Sequence, residues 1–274
     1  MFRTALVFLT FILACPLSYG SDDGFRFRYV DDLVWVDVRS ETTGKTFQFL
    51  LDSGAGATFV DLDCARQLNL NLGRPETVQS VLGRTRAWKV RNLNLSVGNY
   101  PLPKSALVLN LSAVGSSIGK RVDGLIGIDF FNGRAVQLDY SAGRARIFKR
   151  YIPRPGATVI PLRSRSSILC AKLELNNVRS QWLRIDTGCS EDLHWAGKSA
   201  RRARWGRTTT MALKPGKVSF RDVAVKWAGK EIGVVRAGLH RNEFFGGEDG
   251  LLGNGFLSRY RVTLDARARR LILE

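Results

Sequence analysis

The chain has 274 residues, of which 45% are hydrophobic, so it can bury one large core or two moderate ones. Lys and Arg number 42 against 24 Asp and Glu, which gives a formal net charge of +18. This excess indicates affinity for an anionic surface, although scattered charge on a soluble protein gives the same balance. No nucleic-acid-binding motif accompanies the charge, so we expect no nucleic-acid partner.

The first 20 residues have the pattern of a secretory signal peptide. Arg3 precedes a short apolar run from Ala5 to Ala14, and Ser18-Tyr19-Gly20 fits a cleavage site before Ser21. The run is too short for an ordinary membrane-spanning helix. We therefore predict an exported protein, periplasmic or extracellular. Ile12-Leu13-Ala14-Cys15 loosely resembles a bacterial lipoprotein box, so lipid anchoring at Cys15 is the alternative.

Cysteine and histidine usage argues against a disulfide framework and against a metal site. Cleavage at Ser21 would leave Cys64, Cys170 and Cys189, an odd number that cannot all pair within one chain. We expect Cys189 to pack as a small apolar residue. His194 and His240 have no ligand-like spacing to each other or to the cysteines. The sequence therefore predicts no metal and no other cofactor.

Alternating apolar residues predict a succession of strands separated by turns. The alternation begins at Phe25, and a turn at 40–45 leads to a strand over 46–51. Asp61 can cap a short helix that ends near Leu68. Pro153, Pro155 and Gly156 indicate a linker over 151–157. Further strands are predicted over 78–90 (a hairpin with Gly83 near its tip), 91–97, 105–111, 135–140, 144–149, 168–175, 181–185, 208–219 (a second hairpin), 261–265 and 270–273.

An acid follows a hydrophobic strand at two places in the chain. Leu50-Leu51-Asp52-Ser53-Gly54 is the first, and Arg184-Ile185-Asp186-Thr187-Gly188 is the second. A single triplet of this kind is more often a turn whose Asp accepts hydrogen bonds from nearby backbone N–H groups. Two triplets, each closing a strand, indicate something more specific.

The two triplets belong to a repeat. Asp-Gly-Leu-Ile-Gly at 123–127 matches Asp-Gly-Leu-Leu-Gly at 249–253, with a phenylalanine three residues after each copy. A Leu-Asp pair closes the next strand in both copies, at 138–139 and 264–265. We therefore predict a signal peptide at 1–20 followed by two similar all-β halves, 21–150 and 151–274, each contributing one acid.

Packing of the halves about a pseudo-twofold axis would bring Asp52 and Asp186 together. Two carboxylates in contact cannot both ionise cheaply, so the pair holds one proton over a useful pH range. One carboxylate can then act as a base on a shared water, while the other polarises a peptide carbonyl. Hydroxyl and backbone N–H groups of four neighbours would support the pair: Ser53, Gly54, Thr187 and Gly188.

With these motifs the chain resembles the retropepsin-like aspartic proteases of bacteria, duplicated within one chain. The family's active-site motif matches 52–55 and 186–188. Its apolar-apolar-glycine segment, which in the family lies beneath the catalytic loop, matches Leu125-Ile126-Gly127 and Leu251-Leu252-Gly253. The resemblance covers about residues 28–274 and implies an all-β, two-lobed acid-protease fold with its active site in the interlobe cleft. It implies a monomeric endopeptidase that acts on peptides or proteins without a cofactor.

The family also implies a flap that closes over the substrate. Leu82-Gly83-Arg84 is the candidate for its tip, although Gly83 equally fits an ordinary hairpin turn. Cys189 stands where the family has Ala, Ser or Thr. Two alternatives remain open: a retropepsin-like module that binds peptides or polyanions without cutting them, and a basic surface protein in which both acids are only turn residues.

Overall fold

The structure is a computed structural model that describes residues 24–80, 83–165, 167–197, 200, 209–210, 218–241 and 243–274. The predicted signal peptide with Cys15, Leu82 of the predicted flap tip, and most of the predicted second hairpin lie outside these ranges. Within the described ranges, no helix is both long and apolar enough to cross a membrane.

Short strands make up most of the described chain, which confirms the all-β prediction. The strands are β1 Gly24–Arg26, β2 Arg28–Val30, β3 Leu33–Ser40, β4 Thr46–Leu51, β5 Phe59–Asp61, β6 Pro75–Ser80, β7 Gly83–Arg91, β8 Leu95–Val97, β9 Tyr100–Pro101, β10 Ser105–Leu109, β11 Gly124–Ile126, β12 Ala135–Asp139, β13 Arg144–Phe148, β14 Thr158–Arg165, β15 Ile168–Leu175, β16 Val178–Ile185, β17 Leu193–Ala196, β18 Thr209–Thr210, β19 Ser219–Trp227, β20 Lys230–His240, β21 Gly250–Leu252, β22 Val262–Asp265 and β23 Arg270–Leu273. The described helices are α1 Leu62–Gln67, α2 Ser112–Ile118, a 3₁₀ helix Ile128–Phe131 and α3 Asn254–Leu257.

The first sheet runs in the order β6-β7-β10-β5-β11-β4-β3-β8-β9, with β2 paired to β3. Both faces of β3 are apolar in sequence because each face enters a different core cluster. Val34, Val36 and Val38 enter the main core, whereas Leu33 and Trp35 on the opposite face enter a separate cluster. We call this second cluster the lower apolar cluster; its buried members are Leu33, Trp35, Leu50, Phe59, Ala87, Leu109, Leu111 and Val122.

The second sheet has the order β1-β13-β12-β22-β23-β14-β15-β16-β21-β17-β20-β19-β18. It joins the early and late parts of the chain, because β12 pairs antiparallel with β22, for example Val136 with Leu264. The buried Gln137 side chain reinforces this pairing by donating to Thr263 Oγ1 at 3.1 Å. β14 pairs with β23 next to it.

The strands that end at the two acids have the same neighbours and the same register. β4 pairs in parallel with β11, Leu51 opposite Ile126. β16 pairs in parallel with β21, Ile185 opposite Leu252. β11 also pairs antiparallel with β5, and β21 antiparallel with β17. Each half therefore presents its acid turn on a three-strand core of the same topology.

Some predicted helices and strands are confirmed, and others are wrong. The helix after Asp61 is confirmed, and Asp61 caps it by accepting from the Asp63 N–H. The predicted strand over 91–97 is interrupted, because Asn92 has a φ of +57° and the chain re-enters a strand only at Leu95. The helix over 112–118 was not predicted. Cys64, Cys170 and Cys189 are free and buried, as the prediction of no disulfide framework requires.

Candidate active site

Both acids begin the turn that follows a buried strand. The Asp52 N–H donates to the Ile126 carbonyl at 2.9 Å, and the Asp186 N–H donates to the Leu252 carbonyl at 3.0 Å. The apolar-apolar-glycine segments at 125–127 and 251–253 therefore lie directly alongside the acid turns. A Cβ on Gly127 would lie 2.1 Å from the Ala57 carbonyl oxygen, and one on Gly253 would lie 2.3 Å from the Glu191 carbonyl oxygen, so the turns fold closely onto these segments.

Four hydrogen bonds join the two turns through Ser53 and Thr187, both of them buried. The Ser53 N–H donates to Thr187 Oγ1 at 2.9 Å, and the Thr187 N–H donates to Ser53 Oγ at 3.1 Å. Each hydroxyl then donates across to the opposite strand end, Ser53 Oγ to the Ile185 carbonyl at 2.8 Å and Thr187 Oγ1 to the Leu51 carbonyl at 2.7 Å. This reciprocal set fixes the separation of the two acids.

Glycine follows in each turn because the opposite acid occupies the space of a side chain. A Cβ on Gly54 would lie 2.3 Å from Asp186 Cγ, and a Cβ on Gly188 would lie 2.4 Å from Asp52 Cγ. Gly56 carries no such requirement, since the nearest atom to its Cβ position is Ile168 Cδ1 at 4.0 Å. Each acid is thus seated against the backbone of the other turn.

Each carboxyl lies against the glycine of the other turn, and both acids are only partly exposed. Burial and the neighbouring Asp186 raise the pKa of Asp52 well above its ordinary range. Burial also raises the pKa of Asp186, but the charge of Arg184 favours its ionised form. Each carboxyl accepts a hydrogen bond from a backbone N–H at 2.9 Å, Asp52 from Ala55 and Asp186 from Gly188, so Arg184 is the feature that distinguishes them. Arg184 favours Asp186 as the carboxylate of the pair and Asp52 as the holder of a shared proton.

Comparison with known proteins finds one family match. Residues 36–130 match the sequence model of the aspartyl protease family. The match supports a pepsin- or retropepsin-like aspartyl protease family for this chain. A search of curated proteins finds no match to it. The matched region contains Asp52 and the segment 125–127, and Asp186 lies beyond it.

A buried ion pair supports the second turn. Arg184 and Glu248 form two hydrogen bonds of 2.8 and 2.9 Å, and both side chains are less than one-tenth exposed. Arg184 Nη1 also donates to the Gly54 carbonyl at 2.7 Å, which reaches across to the first turn. The Phe245 ring centroid lies 3.7 Å from the guanidinium carbon. The sequence analysis missed this pair, although an arginine inside an apolar strand end was a usable signal.

A polar cluster of Cys189, Glu191, His194 and His240 adjoins the second turn. Glu191 Oε2 lies 3.7 Å from Cys189 Sγ and 3.3 Å from His194 Nε2. His194 Nδ1 lies 2.8 Å from His240 Nε2. Cys189 is buried, as expected, but its thiol faces a carboxylate rather than a purely apolar environment. The spacing of histidines and cysteines did not reveal this polar cluster, because Glu191 is the residue that contacts both Cys189 and His194.

The flap candidate stays a prediction. β6 and β7 form the predicted hairpin, with Ser80 opposite Gly83, so that Gly83 begins the second strand. Arg84 is exposed and lies opposite Gln79. Leu82 lies outside the described residues.

Proposed function

We propose that the chain is an aspartic endopeptidase in which Asp52 and Asp186 activate a water molecule. The observation that carries the proposal is the reciprocal seating of each carboxyl against the glycine of the other turn. Such a pair retains one proton where isolated carboxyls would have lost theirs. Partial exposure leaves the pair open to a water and a substrate.

The asymmetry of the pair assigns the roles. Ionised Asp186 accepts a proton from the water, whose oxygen adds to the peptide carbonyl carbon. Protonated Asp52 donates its proton to the carbonyl oxygen, which gives a neutral tetrahedral diol. Collapse of the diol breaks the C–N bond as Asp186 returns its proton to the leaving nitrogen and Asp52 regains one from a diol hydroxyl.

We further propose that the enzyme is internally duplicated, with halves at 21–150 and 151–274 behind a signal peptide at 1–20, and that it acts as an exported monomer. The equal register of β4 with β11 and of β16 with β21 supports the duplication. Each half supplies one acid, so no partner subunit is needed to complete the pair. Peptides or proteins are the proposed substrates, with the 82–84 region as the flap tip.

The test compares Asp52→Asn, Asp186→Asn and the double variant on a diverse peptide mixture, with cleavage products read by mass spectrometry. Each single variant should lose at least about 100-fold in rate, because an amide can be neither base nor acid. The losses should be non-additive, since the pair acts as a unit. Asp63→Asn is the control, because the Asp63 side chain is exposed on α1 and accepts a hydrogen bond from Arg66 Nη1 at 2.6 Å, away from both acid turns.

Near-normal hydrolysis by either single variant would disprove the assignment. Peptide binding by the wild type without any cleavage would favour the non-catalytic alternative.

A further inference from the structure

The polar cluster contains three side-chain atoms of the kinds that bind transition metals. Cys189 Sγ, a Glu191 carboxylate oxygen and a His194 ring nitrogen all lie within 4.8 Å of one another. They come from one short stretch, the turn after Asp186 and the start of β17, so the backbone that positions the acid also positions all three. None of them belongs to the proposed catalytic pair.

The two distances from the Glu191 carboxylate to the other ligand atoms match those around a tetrahedral zinc ion. Bonds of about 2.3 Å to sulfur and about 2.0–2.1 Å to nitrogen and oxygen place sulfur about 3.5 Å from oxygen, and nitrogen about 3.3 Å from oxygen. The observed Sγ to Oε2 distance is 3.7 Å, and the Nε2 to Oε2 distance is 3.3 Å. We propose that Cys189, Glu191 and His194 form a binding site for a zinc-class divalent cation.

His240 supplies the second shell that such a site needs. Metal-binding histidines almost always use their other ring nitrogen to donate to a partner, which fixes the tautomer and the ring orientation. His194 Nδ1 has that partner in His240 Nε2 at 2.8 Å, which leaves Nε2, on the Glu191 side of the ring, as the nitrogen that would bind the metal. Phe244 packs against the His240 ring with centroids 4.5 Å apart. A Cβ on Gly238 would lie 3.0 Å from His194 Nδ1, so glycine leaves room for the ring.

Burial is graded across the three ligands. Cys189 is 9% exposed, the His194 side chain 17% and the Glu191 side chain 40%. An ion can therefore reach the site from the glutamate side, where a water would take the fourth position. The anionic thiolate and carboxylate would together neutralise the ion, a donor set of borderline softness that suits Zn²⁺ better than Mg²⁺ or Ca²⁺.

The ion would clamp the second acid turn. The Cys189 N–H donates to the Asp186 carbonyl at 3.3 Å, and the Cys189 carbonyl accepts from the Asn254 N–H at 2.8 Å. A metal bond to Sγ would therefore fix a residue that already links Asp186 to α3. The role proposed for the ion is structural, and no step of peptide hydrolysis depends on it.

Zinc titration of chelator-treated protein by calorimetry tests the proposal. One equivalent should bind and raise Tm, whereas Mg²⁺ and Ca²⁺ should not. Bound Co²⁺ should show a thiolate-to-metal charge-transfer band. Cys189→Ala and His194→Phe should each weaken zinc binding by more than about 100-fold, because three protein ligands become two. His240→Leu should weaken it by about 10–100-fold through the second shell.

Cys64→Ala and Cys170→Ala are the matched controls, since both remove a buried free thiol elsewhere and should leave zinc binding unchanged. Circular dichroism of the metal-free variants verifies folding. The wild-type Co²⁺ spectrum tests the thiolate ligand without any substitution. Absence of stoichiometric zinc binding, absence of the charge-transfer band, or wild-type affinity in a folded Cys189→Ala variant would overturn the proposal.

Discussion

The two acid turns have the same backbone but rest on chemically opposite supports. In the first half, Leu50 immediately precedes the Leu51-Asp52 strand end and belongs to the lower apolar cluster. The residue in the same register of the second half is Arg184, since Leu50 pairs with Leu125 as Arg184 pairs with Leu251. Apolar packing therefore supports one turn, and a buried ion pair supports the other.

The contrast extends across the neighbouring strands. Phe59 pairs with Leu125 in the first half, and His194 pairs with Leu251 in the second. Two residues further along the adjoining parallel strands, Leu109 of the lower apolar cluster corresponds to His240. The shape of the acid turn thus depends on backbone pairing and on the cross-turn hydroxyls, whereas Arg184 beneath the second turn favours the ionised form of Asp186.

The largest expected effect on peptide hydrolysis tests the glycine after each acid, a feature common to both turns. Gly54→Ala and Gly188→Ala should each reduce peptide hydrolysis by more than about 100-fold, because the added methyl group would displace the opposite carboxyl and small misplacements are that costly. Gly56→Ala should remain near wild type, since its Cβ would make only an ordinary van der Waals contact with Ile168 Cδ1. The rates are measured on one cleaved peptide. Equal activity of Gly54→Ala and Gly56→Ala would break the comparison.

The next effect tests what the halves do not share. Arg184→Leu introduces the residue of the first half and should lower the free energy of unfolding by about 3–5 kcal/mol, because Glu248 remains buried without its partner. The double variant Arg184→Leu/Glu248→Leu should recover most of that loss. Denaturant unfolding measures both. A double variant no more stable than Arg184→Leu would mean that the arginine acts through Gly54 rather than through the ion pair.

The features that the sequence predicted are those encoded locally. Period-two alternation placed the strand that ends at Leu51, and the glycine-rich triplets marked both strand ends. The matching segments at 123–127 and 249–253 each contain a strand that pairs in parallel with the strand before an acid. Each of these signals depends on residues close together in the chain, which is why they can be read without the fold.

The features that it missed depend on contacts between distant residues. Arg184 looked like a break in an apolar strand, because Glu248 is far away in sequence. The Ser112–Ile118 helix has no side-chain N-cap and contains three serines and a glycine, so the short apolar stripe at Val114 and Ile118 was a weak signal for it. The pairing of β12 with β22 follows from how the halves meet, which alternation within a strand cannot specify.

A smaller effect tests the protonation asymmetry. Asp52→Asn should raise Tm at pH 7, because the wild type must either keep a proton that the unfolded chain has lost or bury a second charge. A raised pKa in the folded state stabilises the protein below the ordinary carboxyl range, and this contribution is lost as pH rises through the folded value. The gain in Tm should be about 2–4 °C for each kcal/mol added to the free energy of unfolding, and it should vanish below about pH 4.

Thermal unfolding at several pH values measures this gain. Asp186→Asn should give a smaller one, since Arg184 already favours the ionised form of Asp186. Equal gains in Tm for the two variants would mean that Asp52 and Asp186 do not differ in how readily they hold a proton.

The smallest effect concerns pH dependence. Ala55 offers no hydroxyl to Asp52, and Cys189 offers only a weak donor at the matching position. We expect a bell-shaped activity profile centred at about pH 4–6. Ala55→Ser and Cys189→Ser should each move it toward acid, because an added donor favours the ionised carboxyl. A wild-type optimum near pH 2, or no shift in either variant, would contradict this reasoning.

The β12–β22 pairing also sets an order of events during synthesis. β12 leaves the ribosome long before β22, and at about 5–20 residues per second roughly ten seconds separate them. Until β22 has been made, one edge of β12, the strand that contains Val136 and Leu138, has no partner. That edge can then pair with another nascent chain. Folding of the second sheet must therefore wait for residues 262–273. The yield of folded protein in the cell should depend on how well the open edge of β12 is kept from other chains during that interval.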